Sequence, residues 1–402
     1  MDFTNRYSES ALRLKSSKIR ELFKLVNVPG LISMAGGMPD SGSFQFEEIK
    51  KIINSWSYET AKVALQYGTT RGHIPLLEEI GKWMEQKKMI SMEGQDVLIT
   101  TGSQQAITLI SKLFLNPNDI VIVEIPSFIG AIASIYSYMG RIEGIRLDSD
   151  GMVIDDLVQK IDECHNRKLD VKFIYTIPNF NNPSGITLAQ EKRRSLLDVS
   201  KEFGIPIVED DPYGELYYYG EEEDYRPIKS MDIDGNVVYL GTFSKVLSPG
   251  LRVGWIVAES QLVAKLEIQK QSIDACTPTF SQVIAYEYMH QGYINTYISK
   301  MRGIYREKRD TMLGALEKNM PEGVTWTAPN GGFFVWLSLP EYLDAEDVFR
   351  SAIKKKVAFV TGDAFLPENY AKNFIRLCFS DLDLDRIKKG IDILADVIQK
   401  LL

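Results

Sequence analysis

Between Val97 and Val257 the chain repeatedly switches its hydrophobic period, and this restricts the available folds more than any other feature. Runs such as V-L-I-T-T from Val97, I-V-I-V-E from Ile120 and V-K-F-I-Y from Val171 are short and continuously apolar, as strands buried on both faces must be. Stretches of helical period separate them, one ending near Phe114 before the turn N-P-N-D. G-I-P-I-V (204–208), V-V-Y-L-G (237–241) and R-V-G-W-I-V (252–257) continue the series. Strand and helix in alternation describe an α/β protein with a mainly parallel sheet and helices on both of its faces.

Beyond that region the rhythm changes. Helices are expected over about 261–290 and 294–320, then strands at G-G-F-F-V-W-L (331–337), V-A-F-V-T (357–361) and F-I-R-L-C-F (374–379). Further helices are expected near 345–355 and 384–401, which together read as a small α+β unit. The acidic run 221–224 reads as a solvated loop, and no repeat or low-complexity linker is apparent.

Ligands of open α/β sheets bind at the carboxyl ends of the strands, and the polar residues that follow these strands form an ordered series. In V-E-D-D-P-Y (208–213), Asp210 and Tyr213 have D-x-x-Y spacing. A carboxylate there can keep a pyridine nitrogen protonated, and the tyrosine can hydrogen-bond a ring hydroxyl. Glu209, Asp210 and Asp211 would also suit a capped turn before Pro212. I-P-N-F-N-N-P-S-G (177–185) sets Asn182 in a tight turn, either a connecting loop or an amide aimed at a ring oxygen. V-L-I-T-T-G-S-Q-Q-A-I (97–107) reads as strand, glycine turn and helix start, which is an ordinary N-cap at Ser103 or a phosphate seat. Phe128, in the loop after the next strand, is a core residue or a face for a flat ring. Last comes G-T-F-S-K-V-L-S-P-G-L-R-V-G-W (241–255), with Ser244, Lys245 and Arg252. A lysine that forms a Schiff base must be desolvated or placed near another cation, and serine with arginine can hold a phosphate. Each feature alone has an ordinary structural reading. Together, in this order, they describe a pyridoxal 5′-phosphate (PLP) site.

On these motifs the chain resembles the fold-type I PLP-dependent aminotransferases of class I/II, in particular the branch of 2-aminoadipate and kynurenine aminotransferases. The resemblance runs from S-K-I-R (17–20) and S-M-A-G-G-M-P-D (33–40) to F-I-R-L-C-F-S (374–380). It implies a large domain over 46–295 with a mainly parallel seven-stranded sheet. It also implies a discontinuous small α+β domain from 1–45 and 296–402, whose N-terminal segment covers the substrate. By resemblance Lys245 is the Schiff-base lysine and proton shuttle, Asp210 the partner of the ring nitrogen, and Tyr213 and Asn182 the partners of the ring hydroxyl. Phe128 is the stacking platform, where relatives often carry Tyr. Gly102, Ser103, Gln104, Ser244 and Arg252 would hold the phosphate, which Tyr67 reaches from the neighbouring subunit of a homodimer with shared active sites. Arg376 matches the arginine that grips the substrate α-carboxylate, with Asn182 and the turn at Gly36 and Gly37 beside it. Arg20 aligns with a segment that can meet an acidic side chain, although Lys15, Lys18 and Lys24 around it also fit a solvated helix face.

The activity implied is transamination from a 2-aminoadipate, aromatic or branched-chain amino acid to 2-oxoglutarate by a ping-pong route. The same constellation serves β-lyases, decarboxylases and racemases. It also occurs behind a DNA-binding winged helix in a group of regulators, for which the roughly thirty residues before G-G-M-P are too few. With 46 basic and 54 acidic residues in 402, the net charge of -8 argues against a nucleic-acid partner. No apolar stretch approaches the roughly 18 residues of a membrane helix, and the start lacks a basic-then-apolar leader pattern, so a cytoplasmic location is expected. Cys164, Cys276 and Cys378 are scattered, as are His73, His165 and His290, so neither a disulfide framework nor a metal site is expected.

Overall fold

The computed structural model describes residues 3–14, 29–366 and 370–402. After a two-residue strand, β1 (Ile32–Ser33), the chain builds an eight-stranded sheet. Its strands are β2 (Gln95–Thr100), β3 (Ile120–Ile125), β4 (Arg141–Asp148), β5 (Gly151–Met152), β6 (Val171–Thr176), β7 (Ile207–Asp210), β8 (Val237–Thr242) and β9 (Gly254–Glu259). Across the sheet the order is β2-β9-β8-β7-β6-β3-β4-β5. The run from β8 through β7, β6 and β3 to β4 is parallel, while β9 and β5 pair antiparallel with their neighbours. Six of these, β2, β3 and β6 to β9, are strands read from the sequence; β4 was not singled out there, and with it they make the seven that the resemblance implies. The eighth, β5, has two residues, too few to carry a period in the sequence.

The continuous apolar runs follow from burial on both faces. On one face Val121, Val123, Phe173, Tyr175, Val208, Val238 and Leu240 pack with Ala106, Ile107 and Ile110 of the helix Ser103–Phe114 and Leu266 of the helix Ser260–Gln271. On the other, Ile120, Ile122, Ile174, Ile207 and Val237 meet Leu157 and Ile161 of the helix Ile154–Asn166 and Leu196 of the helix Gln190–Phe203. Each such side chain contributes about 1.5–3 kcal/mol through burial, so register is strongly held. Tyr175 lies opposite Val208 and Ile174 opposite Ile207. That register sends Glu209 and Asp210 to opposite faces.

A second, antiparallel sheet is formed by β10 (Thr325–Trp326) and β11 (Phe334–Ser338) with two strands from further along the chain. The single strand expected over 357–361 is instead two, β12 (Val357–Ala358) and β13 (Val360–Thr361). The chain changes partners between them, at the fully buried Phe359: β12 pairs with β1, whereas β13 pairs with β14 (Phe374–Cys378). The second sheet is thus ordered β10-β11-β14-β13, and the β1 pairing brings the segment before Gly36 beside it.

The helix expected over 261–290 is also two, Ser260–Gln271 and Thr279–His290. Ala275 between them has φ +56°, outside helical space, and Pro278 precedes the second helix, where it disfavours helical geometry for Thr277. The helix Tyr293–Asn319 follows and packs against Leu384–Gln399. The acidic run is exposed as expected, but it ends in a 3-10 turn, Glu222–Tyr225, closed by reciprocal bonds between Glu221 and Asp224. Among the described residues no helix is long and apolar enough to cross a membrane, and no cluster of potential metal ligands forms.

Candidate active site

The strand order decides where the polar residues meet. Segments leaving the carboxyl ends of β2, β3, β6, β7 and β8 all emerge at one edge of the sheet. Because β9 is reversed, Arg252, just before it, arrives at the same edge as Ser244 and Lys245, just after β8.

At one corner the helix Ser103–Phe114 starts from Gly102, which is the N-cap in place of the expected Ser103. Gly102 has φ +77°, which favours glycine, and a Cβ there would lie 2.4 Å from Arg252 Nη2, so any larger residue would push the guanidinium away. Arg252 is itself left-handed at φ +55°, a strained conformation for a non-glycine residue. Its Nη1 donates to Pro249 O at 3.2 Å and to Ser244 Oγ at 3.5 Å, and its Nη2 donates to Thr101 O at 3.4 Å. The Thr242 hydroxyl donates to Ser244 Oγ at 3.0 Å. A helix N-terminus, a hydroxyl and a guanidinium therefore share one small region, which is the chemistry of an anion seat. The Gln104 side-chain amide is engaged elsewhere, with Gly130 O and Ser134 Oγ, each at 2.9 Å. Only its backbone N–H can face the corner.

The three consecutive acids separate by geometry. Glu209 accepts the backbone N–H groups of Ile228 and Lys229 at 2.8 and 2.9 Å, at the start of the 3-10 turn Ile228–Met231 rather than at a turn before Pro212. Asp211 accepts from Asn179 Nδ2 at 2.9 Å, Tyr239 Oη at 3.0 Å and Lys88 Nζ at 3.4 Å. Asp210 accepts from Tyr175 Oη at 2.8 Å through Oδ2, while its buried Oδ1 has no partner among the described residues. Burial pushes the Asp210 carboxyl up to about 7, against the Tyr175 bond, which favours the charged form.

Lys245 Nζ donates to Gly37 O at 2.7 Å and lies 5.8 Å from the Tyr213 ring centroid. Burial of the ammonium lowers its pKa to about 8, with Arg376 and Arg252 adding to the effect and Cys378 opposing it. Arg376, on β14, donates from Nη2 to Ala35 O at 2.6 Å and Gly36 O at 3.1 Å, and from Nη1 to Asn182 Oδ1 at 3.0 Å. Its guanidinium carbon is 4.4 Å from the Phe334 ring centroid and 4.8 Å from that of Phe365. Among the described residues its hydrogen-bond partners are those neutral oxygens and no carboxylate, and Nε is buried without a partner. Burial lowers its pKa to about 10, which still leaves it charged at neutral pH. A buried cation held by carbonyls and aromatic faces is suited to an incoming anion. The loop that supplies those carbonyls is itself tied down: Lys308 Nζ donates to Asp40 Oδ2 at 2.7 Å and Ser380 O at 2.8 Å, and the Ser380 hydroxyl donates to Met38 O.

Phe128 is half-buried at the start of the helix Ile129–Ser137, and Tyr67 is 86% exposed beyond the helix Tyr58–Leu65. Arg20 lies outside the described residues. Several supports were not singled out in the sequence. Glu124, whose charge in the run I-V-I-V-E was the visible signal, accepts from Thr176 Oγ1, Ile177 N and Asn181 Nδ2 at 2.6, 3.0 and 2.7 Å and so secures the loop carrying Asn182. Arg193 is fully buried and donates to Asn179 Oδ1 at 2.7 Å, bracing the same loop.

A family model described as aminotransferase class I and II matches residues 31–394. The chain belongs to this family. It is a PLP-dependent aminotransferase. Aromatic-amino-acid aminotransferase 1 of Thermococcus litoralis is 45% identical over 100% of this chain and 95% of its own length. The 2-aminoadipate transaminase of Thermus thermophilus is 37% identical over 100% of this chain and 98% of its own. A crystal structure of Pyrococcus horikoshii kynurenine aminotransferase in complex with PMP superposes with a TM-score of 0.96 at 44% identity, covering 100% of this chain and 98% of that one.

The residues at the sheet edge of this aminotransferase fit its cofactor. The unpartnered Asp210 Oδ1 is a buried acceptor with no donor among the described residues, as a protonated ring nitrogen requires. The glycine turn at 102, the helix N-terminus after it and the Arg252 guanidinium form a cationic corner whose chemistry suits a phosphate.

Proposed function

We propose that this aminotransferase moves the α-amino group of a 2-aminoadipate, aromatic or branched-chain amino acid to 2-oxoglutarate by a ping-pong route. The observation that carries this reading is that Arg376 and Lys245 bond to adjacent carbonyls, Gly36 O and Gly37 O. A carboxylate seated on Arg376 then sets the attached α-carbon beside the Lys245 amine. The names of the relatives, with aromatic, kynurenine and 2-aminoadipate activities, support the donor class. So do the rings of Phe333, Phe334 and Phe365 around Lys245 and Arg376.

Bound PLP supplies a covalent carrier for the amino group and an electron sink for the bond that breaks. Asp210 pairs with the protonated ring nitrogen, and Tyr213 and Asn182 hydrogen-bond the ring hydroxyl. Phe128 stacks on the ring. The phosphate is held by Gly102, Ser103, Gln104, Ser244 and Arg252, with Tyr67 from a second subunit. Lys245, with a pKa near 8, exists in both protonation states around neutrality, so its amine can take the α-proton and return it. Arg376 orients the α-carboxylate, and Gly37 lets the substrate approach closely.

We read residues 46–295 as a large PLP-binding domain and 1–45 with 296–402 as a small discontinuous one. The parallel pairing of β1 with β12 supports this division. A homodimer with shared active sites completes the reading, consistent with the exposure of Tyr67. The test is an absorbance titration of the purified enzyme with a panel of amino acids. Conversion of the cofactor band that 2-oxoglutarate reverses supports the proposal; binding without reversible conversion refutes it.

A further inference from the structure

We infer that Tyr175 is a positioning residue for the cofactor ring: it holds one oxygen of Asp210 so that the other alone meets the ring nitrogen. This rests on the reading of Asp210 given above. Tyr175 is fully buried near the end of β6, and its register partner on β7 is Val208. Asp210, two residues beyond Val208, lies on the same face, which puts the two side chains in diagonal contact. The phenol then donates to Oδ2 at 2.8 Å.

Several facts make this bond more than a satisfied core hydroxyl. Tyr175 is the hydrogen-bond partner that favours the charged form of Asp210, whereas burial and the neighbouring Asp211 both oppose that form. Asp211 does not compete for the phenol, since Lys88, Asn179 and Tyr239 already surround it. Burial beside Asp210 holds the phenol pKa well above its ordinary value, so Tyr175 stays a donor. A carboxylate with one oxygen pinned has its remaining lone pairs directed to one side, and Oδ1 has no other partner among the described residues. Without the phenol, Oδ2 would be buried and unpaired, which favours the neutral acid and frees the group to rotate. A neutral acid pairs poorly with a protonated ring.

The test compares two cofactors on the full-length protein stripped of PLP and retitrated. One is PLP; the other is 1-deaza-PLP, in which a C–H replaces the ring nitrogen. The wild type is expected to bind PLP more tightly than the deaza compound. Tyr175→Phe is expected to weaken PLP roughly tenfold, as for loss of a charge-assisted hydrogen bond, and to leave the deaza compound unchanged. Equal weakening of both would make Tyr175 a packing residue and overturn the inference. Wild-type discrimination retained in Tyr175→Phe would overturn it while leaving the role of Asp210 intact. No discrimination in the wild type would overturn the role of Asp210 and this inference with it. Should Tyr175→Phe fail to fold, 3-fluorotyrosine placed at 175 changes donor strength with little change in packing. The ratio of the two affinities is then expected to shift, and an unchanged ratio overturns the inference.

Discussion

Arg376 Nη1 donates to Asn182 Oδ1 at 3.0 Å, joining β14 of the small antiparallel sheet to the loop that follows β6 of the large one. The bond fixes the amide so that its NH2 group faces away from the guanidinium. Two further bonds to Ala35 O and Gly36 O use the other terminal nitrogen, so the planar fork makes contacts that an ammonium cannot reproduce together. Arg376→Lys is expected to lower kcat/KM by about a hundredfold for amino donor and 2-oxo acceptor alike, since both carry the same carboxylate. Steady-state kinetics varying each substrate in turn checks this. Asn182→Ala in the Arg376→Lys background should cost less than it does alone, because the bond between them is already lost.

Lys245→Ala is expected to abolish the visible cofactor band and to reduce turnover by a factor on the order of 10^4 or more, through loss of both the attachment point and the proton carrier. Far-UV circular dichroism of the variant should match the wild type. A variant that retains the band and turns over at wild-type rates would remove Lys245 from the mechanism.

The buried amine also leaves a mark on stability. In the cofactor-free protein Lys245 has a pKa of about 8 against 10.5 when unfolded, so between those values the unfolded chain binds more protons and stability rises with pH. Below about 8 the charged amine is carried in both states, and the folded one bears the burial penalty in full. Lys245→Met should therefore stabilise the cofactor-free protein at pH 7 by about 1–2 kcal/mol, after loss of the Gly37 bond is subtracted. The advantage should shrink as the pH approaches 10.5. Urea denaturation of both proteins at pH 7 and pH 10 measures it.

Much of this was legible in the sequence because the strands of a parallel sheet are continuously apolar and the polar residues come after them. Lys245, Asp210, Asn182 and Ser103 each follow such a run, and the fold gathers them at one edge. What stayed hidden depended on register or on distant contacts. Glu209 and Asp210 are equivalent as letters, and the pairing of Tyr175 with Val208 separates them. Tyr175 itself is one more apolar letter in V-K-F-I-Y until its hydroxyl meets Asp210. The isolation of Arg376 from carboxylates cannot be read from its strand, because the carbonyls and rings around it come from residues far away in the chain. The break near Ala275 was signalled by Pro278, and the expectation of one helix over 261–290 ran through it.

Gly102→Ala tests the phosphate corner. A Cβ at 102 would sit 2.4 Å from Arg252 Nη2 and 3.0 Å from its Cζ, on a backbone at φ +77°. Arg252 must withdraw, and the left-handed turn is strained by about 1 kcal/mol. Cofactor affinity is expected to fall by about tenfold or more, measured by retitrating the stripped protein with PLP, while the substrate KM at saturating cofactor changes little. A KM effect without an affinity effect would place Gly102 with the substrate.

The proposed sharing of active sites makes a sharper demand. Tyr67 is 86% exposed in this chain, and in the proposed dimer it completes the partner's phosphate site. Lys245→Ala subunits lack the amine but present an intact Tyr67, whereas Tyr67→Ala subunits keep the amine and lack the tyrosine. A hybrid of the two contains one site with neither defect and one with both. Random mixing of equal amounts through unfolding and refolding makes half the dimers hybrids, so about one quarter of wild-type activity should return at limiting PLP. The controls are each variant refolded alone, which should show no recovery beyond its own residual activity. Activity no greater than the mean of the two parents would mean that Tyr67 serves its own chain or none, and sedimentation of the mixture would then say whether dimers had formed at all.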